Sequence, residues 1–336
     1  MMLKKQKTAF GVDIGSYSVK ALGITQEGPQ FWLSAIETEK ILGSDKPAIV
    51  SALKKVVAAG NMASLPVGVA ISGQFVIVRT VVLPMMTNDE LRSSLTYEAE
   101  KHIPFKISEM QLDFKVLASG LPENKMKVLL VGAKKETIEE TVANLEAAGL
   151  LASFIDIDGF ASVNALEFAA FTEAQNKTCA VLDVGHKLAN ITVVSNFSPF
   201  FLRDISIAGA DIILFVKTEL GVSFEEAENL LKNPGDAFTS TQAAMRSVME
   251  RLAGEIRASF DYCESQSEVL IEKVFLSGGC ANFAGFATLL KEMLGMEVVQ
   301  WKPLSKLLIP PQLKVKALGA GSEMAVAAGL AIRNVK

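Results

Sequence analysis

Two four-residue segments, Val12-Asp13-Ile14-Gly15 and Leu182-Asp183-Val184-Gly185, share one pattern of apolar, Asp, apolar, Gly. They lie 170 residues apart (183 − 13), about half of a 336-residue chain. Each ends an apolar run and opens a short polar turn into a second such run. A strand, a tight turn and a returning strand, met twice, imply a duplicated α/β architecture. Its two halves would face one another across a cleft.

The rest of the chain agrees with that reading. Strand patterns cover 8–12, 19–24, 31–37, 67–72 and 76–83 in the first half, with a helix over 47–59 stopped by Gly60. The pattern restarts at 179–184, 189–195 and 200–207, and a strand over 273–277 runs into Gly278-Gly279. A helix is expected over 282–294, stopped by Gly295. In 245–263, Met245, Val248, Met249, Leu252, Ile256 and Phe260 recur at spacings of three and four, which gives a core-facing helix. Between the halves, a helix over 87–103 is capped by Thr87 or Asn88 and ended by Pro104. Strands at 110–118 and 126–133 follow, then a helix over 135–148. Residues 84–151 thus read as an inserted helix–strand–strand–helix subdomain.

Composition excludes several classes of function. Hydrophobic residues make up 50% of the chain, enough for ample apolar cores and against disorder. The 33 basic and 37 acidic side chains leave a net charge of −4, without the basic field that nucleic acid binding needs. Three scattered cysteines, Cys179, Cys263 and Cys280, form neither a disulfide framework nor a C-x-x-C metal site, and read as buried small hydrophobes. Two histidines, His102 and His186, exclude a His-rich zinc site and disfavour a Ser/His/Asp triad. The start, 1–7, is basic, but no secretory apolar region follows it, and no uncharged apolar run of ~18 residues occurs. Membrane contact is therefore expected only through a partner.

A nucleotide between two such halves needs close-approaching backbone N–H groups and a metal. Gly15-Ser16-Tyr17-Ser18 and the turn from Gly185 can supply the first. Asp13 and Asp183, one from each half, can hold Mg²⁺ mainly through water. Lys20 lies just beyond the first turn and can neutralise phosphate, and Gly278-Gly279 can approach the nucleoside or its α-phosphate. Neither G-x-x-x-x-G-K-[ST] nor an intact G-x-G-x-x-G occurs.

At these residues the chain resembles the actin-like ATPase superfamily. FGVDIGSYSVK (10–20) looks like its first phosphate motif, AVLDVGHKLANITVV (180–194) like its second and VFLSGGCANFAGF (274–286) like its adenosine motif. The segments 155–166 and 319–332 look like the two connecting motifs. Within the superfamily the chain resembles the PilM family of type IV pilus assembly proteins, relatives of the cell-division protein FtsA. That likeness rests on EAEKHIPF (98–105) and on 128–149, 207–232 and 276–279. It implies the actin-like, ribonuclease H-like duplicated two-domain ATPase fold with an inserted FtsA/PilM-type 1C (SHS2) subdomain. The first half would span 1–83, completed by 152–178 and 317–336. The insert would span 84–151, the second half 179–210 and 273–316, and a helical subdomain 211–272.

The resemblance also implies roles. Ser16, Ser18, Asn190, Gly209 and Asn282 would join the glycines around ATP or ADP, with Glu228 and Lys232 near the ribose and base. His186, Lys187, Leu188 and Ala189 stand where the family usually has hydroxyl-bearing residues, which points to weak or absent hydrolysis. Lys232 follows Glu228 by four residues where three is the family's spacing. The implied function is a cytoplasmic ATP-binding scaffold at the cytoplasmic face of the inner membrane. It would bind the N-terminal tail of PilN, meet inner-membrane platform proteins and assembly ATPases, and have scope for self-association. The PilN tail is expected between the insert and the first half, within 76–118. The alternatives are an FtsA-like filament protein, which would carry a C-terminal membrane-targeting helix, and a small-molecule kinase with Asp156 or Asp158 as its base.

Overall fold

A computed structural model describes residues 7–267 and 269–335. Residues 1–6 of the basic start, and Lys336, lie outside the described residues.

The first half opens with β1 (Lys7–Ile14), β2 (Ser18–Glu27) and β3 (Gln30–Lys40), an antiparallel meander. Next come α1 (Lys46–Ala59), capped by the Asp45 side chain, and β4 (Pro66–Ile71). The chain then leaves this sheet through β5 (Val76–Pro84), α2 (Asn88–Glu100), β6 (Met110–Leu121), β7 (Lys125–Lys134) and α3 (Lys135–Ala147). It returns in β8 (Leu151–Ile157), which pairs parallel with β4 and completes the order β3-β2-β1-β4-β8. After α4 (Asp158–Ala169) and the short α5 (Phe171–Ala174), the second half repeats the plan with β9 (Thr178–Val184), β10 (Ala189–Ser195) and β11 (Ser198–Ile205). Three helices follow: α6 (Gly209–Leu220), α7 (Phe224–Lys232) and α8 (Phe238–Ser267). Then come β12 (Lys273–Ser277), α9 (Phe286–Leu294), β13 (Val298–Gln300), α10 (Lys314–Ala320) and α11 (Ala325–Val335). The second sheet has the order β11-β10-β9-β12-β13. Both sheets thus carry two antiparallel pairings followed by two parallel ones, the duplication read from the repeated motif.

Two helices, α4 and α11, form the layer between the sheets. One buried cluster joins Leu22 and Ile24 of β2, Leu166 of α4, Val181 of β9 and Ala328 of α11. A Cβ on Gly329 would stand 1.7 Å from the Ala161 carbonyl oxygen, so only glycine lets α4 and α11 cross this closely. The segment Pro311–Val335 is apolar and long enough to cross a membrane, with mean hydropathy 1.3. However, 61% of its most apolar window is buried in the protein, and the chain turns at Gly321, whose φ is +55°. It packs as core.

The interrupted segment is a three-stranded sheet, β5-β7-β6, covered by α2. β5 pairs along its length with β7, so this sheet begins at Val76, ahead of the boundary expected at 84. The Thr87 hydroxyl accepts from the Glu90 N–H and Glu90 accepts from the Thr87 N–H, a capping box that starts α2. The apolar stripe of the long helix lies buried in α8, against the second sheet. α9 starts at Phe286 rather than 282. Gly285 takes the left-handed φ of +79°, which a helix interior does not accept, and Gly279–Asn282 is a separate 3₁₀ turn. All three cysteines are free and buried, and burial pushes their thiols up.

Candidate functional site

The two repeated turns have the same hydrogen-bonded form. In the first, Gly15 N–H donates to the Ser18 carbonyl at 3.1 Å; in the second, Gly185 N–H donates to the Leu188 carbonyl at 2.9 Å. Two residues before each glycine, the aspartate sits opposite the returning strand, where Asp13 pairs with Lys20 and Asp183 pairs with Asn190. Both turns reach one cavity of about 660 Å³, within the size range of small-molecule sites.

Twelve of the fourteen residues expected at a nucleotide site line this cavity. Asp13, Gly15, Ser16, Ser18 and Lys20 come from the first hairpin, Asp183, Gly185 and Asn190 from the second. Gly209 at the start of α6, Glu228 and Lys232 on α7, and Gly279 after β12 complete the set. Gly278 and Asn282 are not among the lining residues. Gly278 is a packing glycine: its φ is +90°, and a Cβ there would stand 2.4 Å from the Val184 carbonyl oxygen. The Asn282 side chain turns toward β13, accepting from Gln300 at 3.3 Å.

The deep end of the cavity is acidic. Lys20 Nζ donates to Asp13 at 2.8 Å, both side chains largely buried. Burial alone would weaken the hold of Lys20 on its proton, but the Asp13 carboxylate outweighs this and raises it. Asp183 accepts from the Ser277 hydroxyl at 2.8 Å. Burial pushes its carboxyl up to about 6, and the Asp13 charge adds to the rise. Burial and Asp13 likewise drive the Asp158 carboxyl well above the ordinary range, and burial raises Glu323. Carboxylates that raise one another in a shared cavity are the donor chemistry a cation relieves. Among the described residues, no group of three or more His, Cys, Asp or Glu side chains is close enough to ligate a metal directly.

The shallow end is built around Glu228, which accepts from Lys232 at 2.7 Å, Tyr17 Oη at 2.6 Å and Lys40 at 3.2 Å. Burial alone would raise this carboxyl, but the three donors pull it down to about 2. The four-residue step from Glu228 to Lys232 is one helical turn of α7, which puts both on the same face.

Several lining residues had no role assigned from the sequence. Asp204 on β11 accepts from the Gly73 N–H at 2.8 Å and from Asn190 at 2.7 Å, joining the loop after β4 to the second sheet at the cavity wall. Tyr17 stood inside the quoted turn without a partner. Asp156 and Asp158 are the alternative candidate bases of the kinase reading. A strand would put both on one face, but β8 ends between them. Asp158 enters the cavity, while Asp156 binds Arg333 elsewhere.

The chain matches the family described as type IV pilus assembly protein PilM over residues 11–335. It belongs to that family. Among solved structures it is similar to the PilM-PilN type IV pilus biogenesis complex, with 26% identity, 98% of each chain covered and a TM-score of 0.85. It also resembles the ethanolamine utilization protein EutJ from Carboxydothermus hydrogenoformans, with 14% identity, 97% and 89% covered and a TM-score of 0.57. A third relative is the activator of the 2-hydroxyisocaproyl-CoA dehydratase from Clostridium difficile with bound ADPNP. There the figures are 11% identity, 98% and 94% covered and a TM-score of 0.51. The last two show the fold alone. Together with the duplicated sheets they establish the actin-like ATPase fold for this PilM-family chain.

Proposed function

We propose that this chain is an ATP-binding scaffold of type IV pilus assembly that takes the cytoplasmic N-terminal tail of PilN. The observation that carries the reading is the likeness to the PilM-PilN complex over 98% of both chains. The match favours neither the cell-division filament nor the small-molecule kinase.

ATP or ADP would lie between the two turns. Gly15, Ser16, Ser18, Gly185 and Asn190 would face the phosphates and Lys20 would offset their charge. Gly209, Glu228, Lys232 and Gly279 would face the nucleoside. Mg²⁺ would neutralise phosphate charge between Asp13 and Asp183. With His186, Lys187, Leu188 and Ala189 in the second turn, turnover would be slow or absent. The PilN tail would lie between the small sheet and the first sheet, an extended peptide held by backbone and apolar pockets. That places the protein at the cytoplasmic face of the inner membrane, beside platform proteins and assembly ATPases, with self-association open.

Fluorescence anisotropy with a labelled synthetic PilN tail tests the partner. Saturable binding by the full chain, competed by unlabelled peptide and not by a scrambled one, is the expected result. Equal binding of both peptides would contradict the reading.

A further inference from the structure

The Glu228 cluster spans the cleft. Tyr17 follows β1 in the first half, and its carbonyl accepts from the Ile41 N–H at 2.8 Å, which ties it to the end of β3. Lys40 is the last residue of β3. Glu228 lies on α7 of the other half, 211 positions from Tyr17. The Tyr17 ring also stacks on His186 of the second turn, with ring centres 4.7 Å apart and planes 29° from parallel. Lys40 Nζ sits 5.0 Å from the centre of the Tyr17 ring. One aromatic side chain thus touches the opposite half twice, by a hydrogen bond to a carboxylate and by a stacked ring.

Position in the cavity gives this cluster its consequence. The Glu228 and Asp13 side chains are equally buried, each 10% exposed, but the lysines on Glu228 reach solvent, Lys40 at 56% and Lys232 at 43%, whereas Lys20 on Asp13 is 14% exposed. The lysine side of the cross-cleft cluster therefore stands where solvent meets the cavity. A ligand reaching the deep carboxylates passes them.

We propose that Tyr17, Lys40 and Glu228 form a clasp across the mouth of the cavity that sets how fast a nucleotide enters and leaves. This rests on the nucleotide reading above. A hydrogen bond to a charged acceptor is among the stronger protein contacts, and the stack adds to it. The two halves must part for exchange, so the clasp has to break on the way in and again on the way out. Removing its Tyr17 hydroxyl or Lys40, neither of which faces the nucleotide in that reading, speeds both directions and leaves the affinity nearly unchanged. Losing a direct nucleotide contact speeds exit alone.

Stopped-flow fluorescence with N-methylanthraniloyl-ADP on the full chain separates these. Tyr17→Phe keeps the ring on His186 and removes the hydroxyl. Entry and exit both rise, each roughly tenfold, with Kd changed by less than about threefold. Lys40→Ala raises both by about twofold, because that pair is more exposed. Faster exit with unchanged entry, or no change in either rate, overturns the proposal. A second measurement needs no nucleotide. Spin labels on Ser44→Cys and Glu225→Cys, exposed positions beside the two sides of the clasp, report the distance across it, since the native cysteines are buried. Tyr17→Phe lengthens and broadens that distance. If the unmodified chain takes up no nucleotide, the proposed function falls, and the label distance alone decides the clasp: an unchanged distance overturns it.

Discussion

The two halves place the same hairpin against the same cavity, yet they treat the central aspartate differently. In the first, the residue opposite Asp13 is Lys20, and the two form a buried ion pair at 2.8 Å. In the second, the residue opposite Asp183 is Asn190, which turns to Asp204 and leaves Asp183 with the Ser277 hydroxyl. One side chain at one register position thus decides whether the local charge is compensated from within. The first half brings its own cation; the second leaves a carboxylate seeking one. Duplication has produced two equivalent frames, and the chemistry lies in where they differ.

The largest effect expected from breaking this comparison is in the first half. Lys20→Ala leaves Asp13 buried without its partner and lowers stability by about 3 kcal/mol in urea unfolding. ATP affinity falls with it. Asp183→Asn acts in the opposite sense. A carboxyl at about 6 in the folded chain, against an ordinary value near 3.8, binds more protons folded than unfolded, so stability falls as pH rises from about 4 through 6. Removing the charge stabilises the chain at pH 7.5 by up to ~2 kcal/mol, discounted for the water the cavity admits, and the gain disappears below pH 4. Thermal melts across that range check the sign, and calorimetry of the same variant loses any magnesium dependence of ATP binding. Asn190→Lys rebuilds the first-half pair in the second half. Asp183 then titrates near its ordinary range by NMR, and the magnesium dependence of ATP affinity shrinks, a change of about 1 kcal/mol. The last variant is a control away from the cleft. Thr87→Ala removes the α2 capping box, costs about 1 kcal/mol and leaves nucleotide affinity alone.

Much of this was legible in the residues. The repeated Asp-apolar-Gly motif announced two hairpins, Thr87 or Asn88 marked the start of α2, and the spacing in 245–263 marked the buried face of α8. These signals are local, carried by neighbours a few positions apart. What stayed hidden depends on distant pairing. That β5 pairs with β7 depends on residues 41 to 57 positions further along the chain, from Pro84–Lys125 to Val76–Ala133. The contact of Tyr17 with Glu228 joins residues from opposite halves, and no periodicity reports it. Gly278 and Asn282 sit in a motif that reads as binding. Backbone packing against Val184 claims the first, and Gln300 claims the second.

In the proposed function a nucleotide and its metal would lie between the two turns, with Asp13 and Asp183 on either side. Isothermal titration of ATP into the full chain, with Mg²⁺ and then with EDTA, tests it most directly. One site per chain is expected, bound more tightly with magnesium, with that difference lost in Asp183→Asn. Heat-silent titrations in both buffers, or equal affinity with and without magnesium, would contradict it.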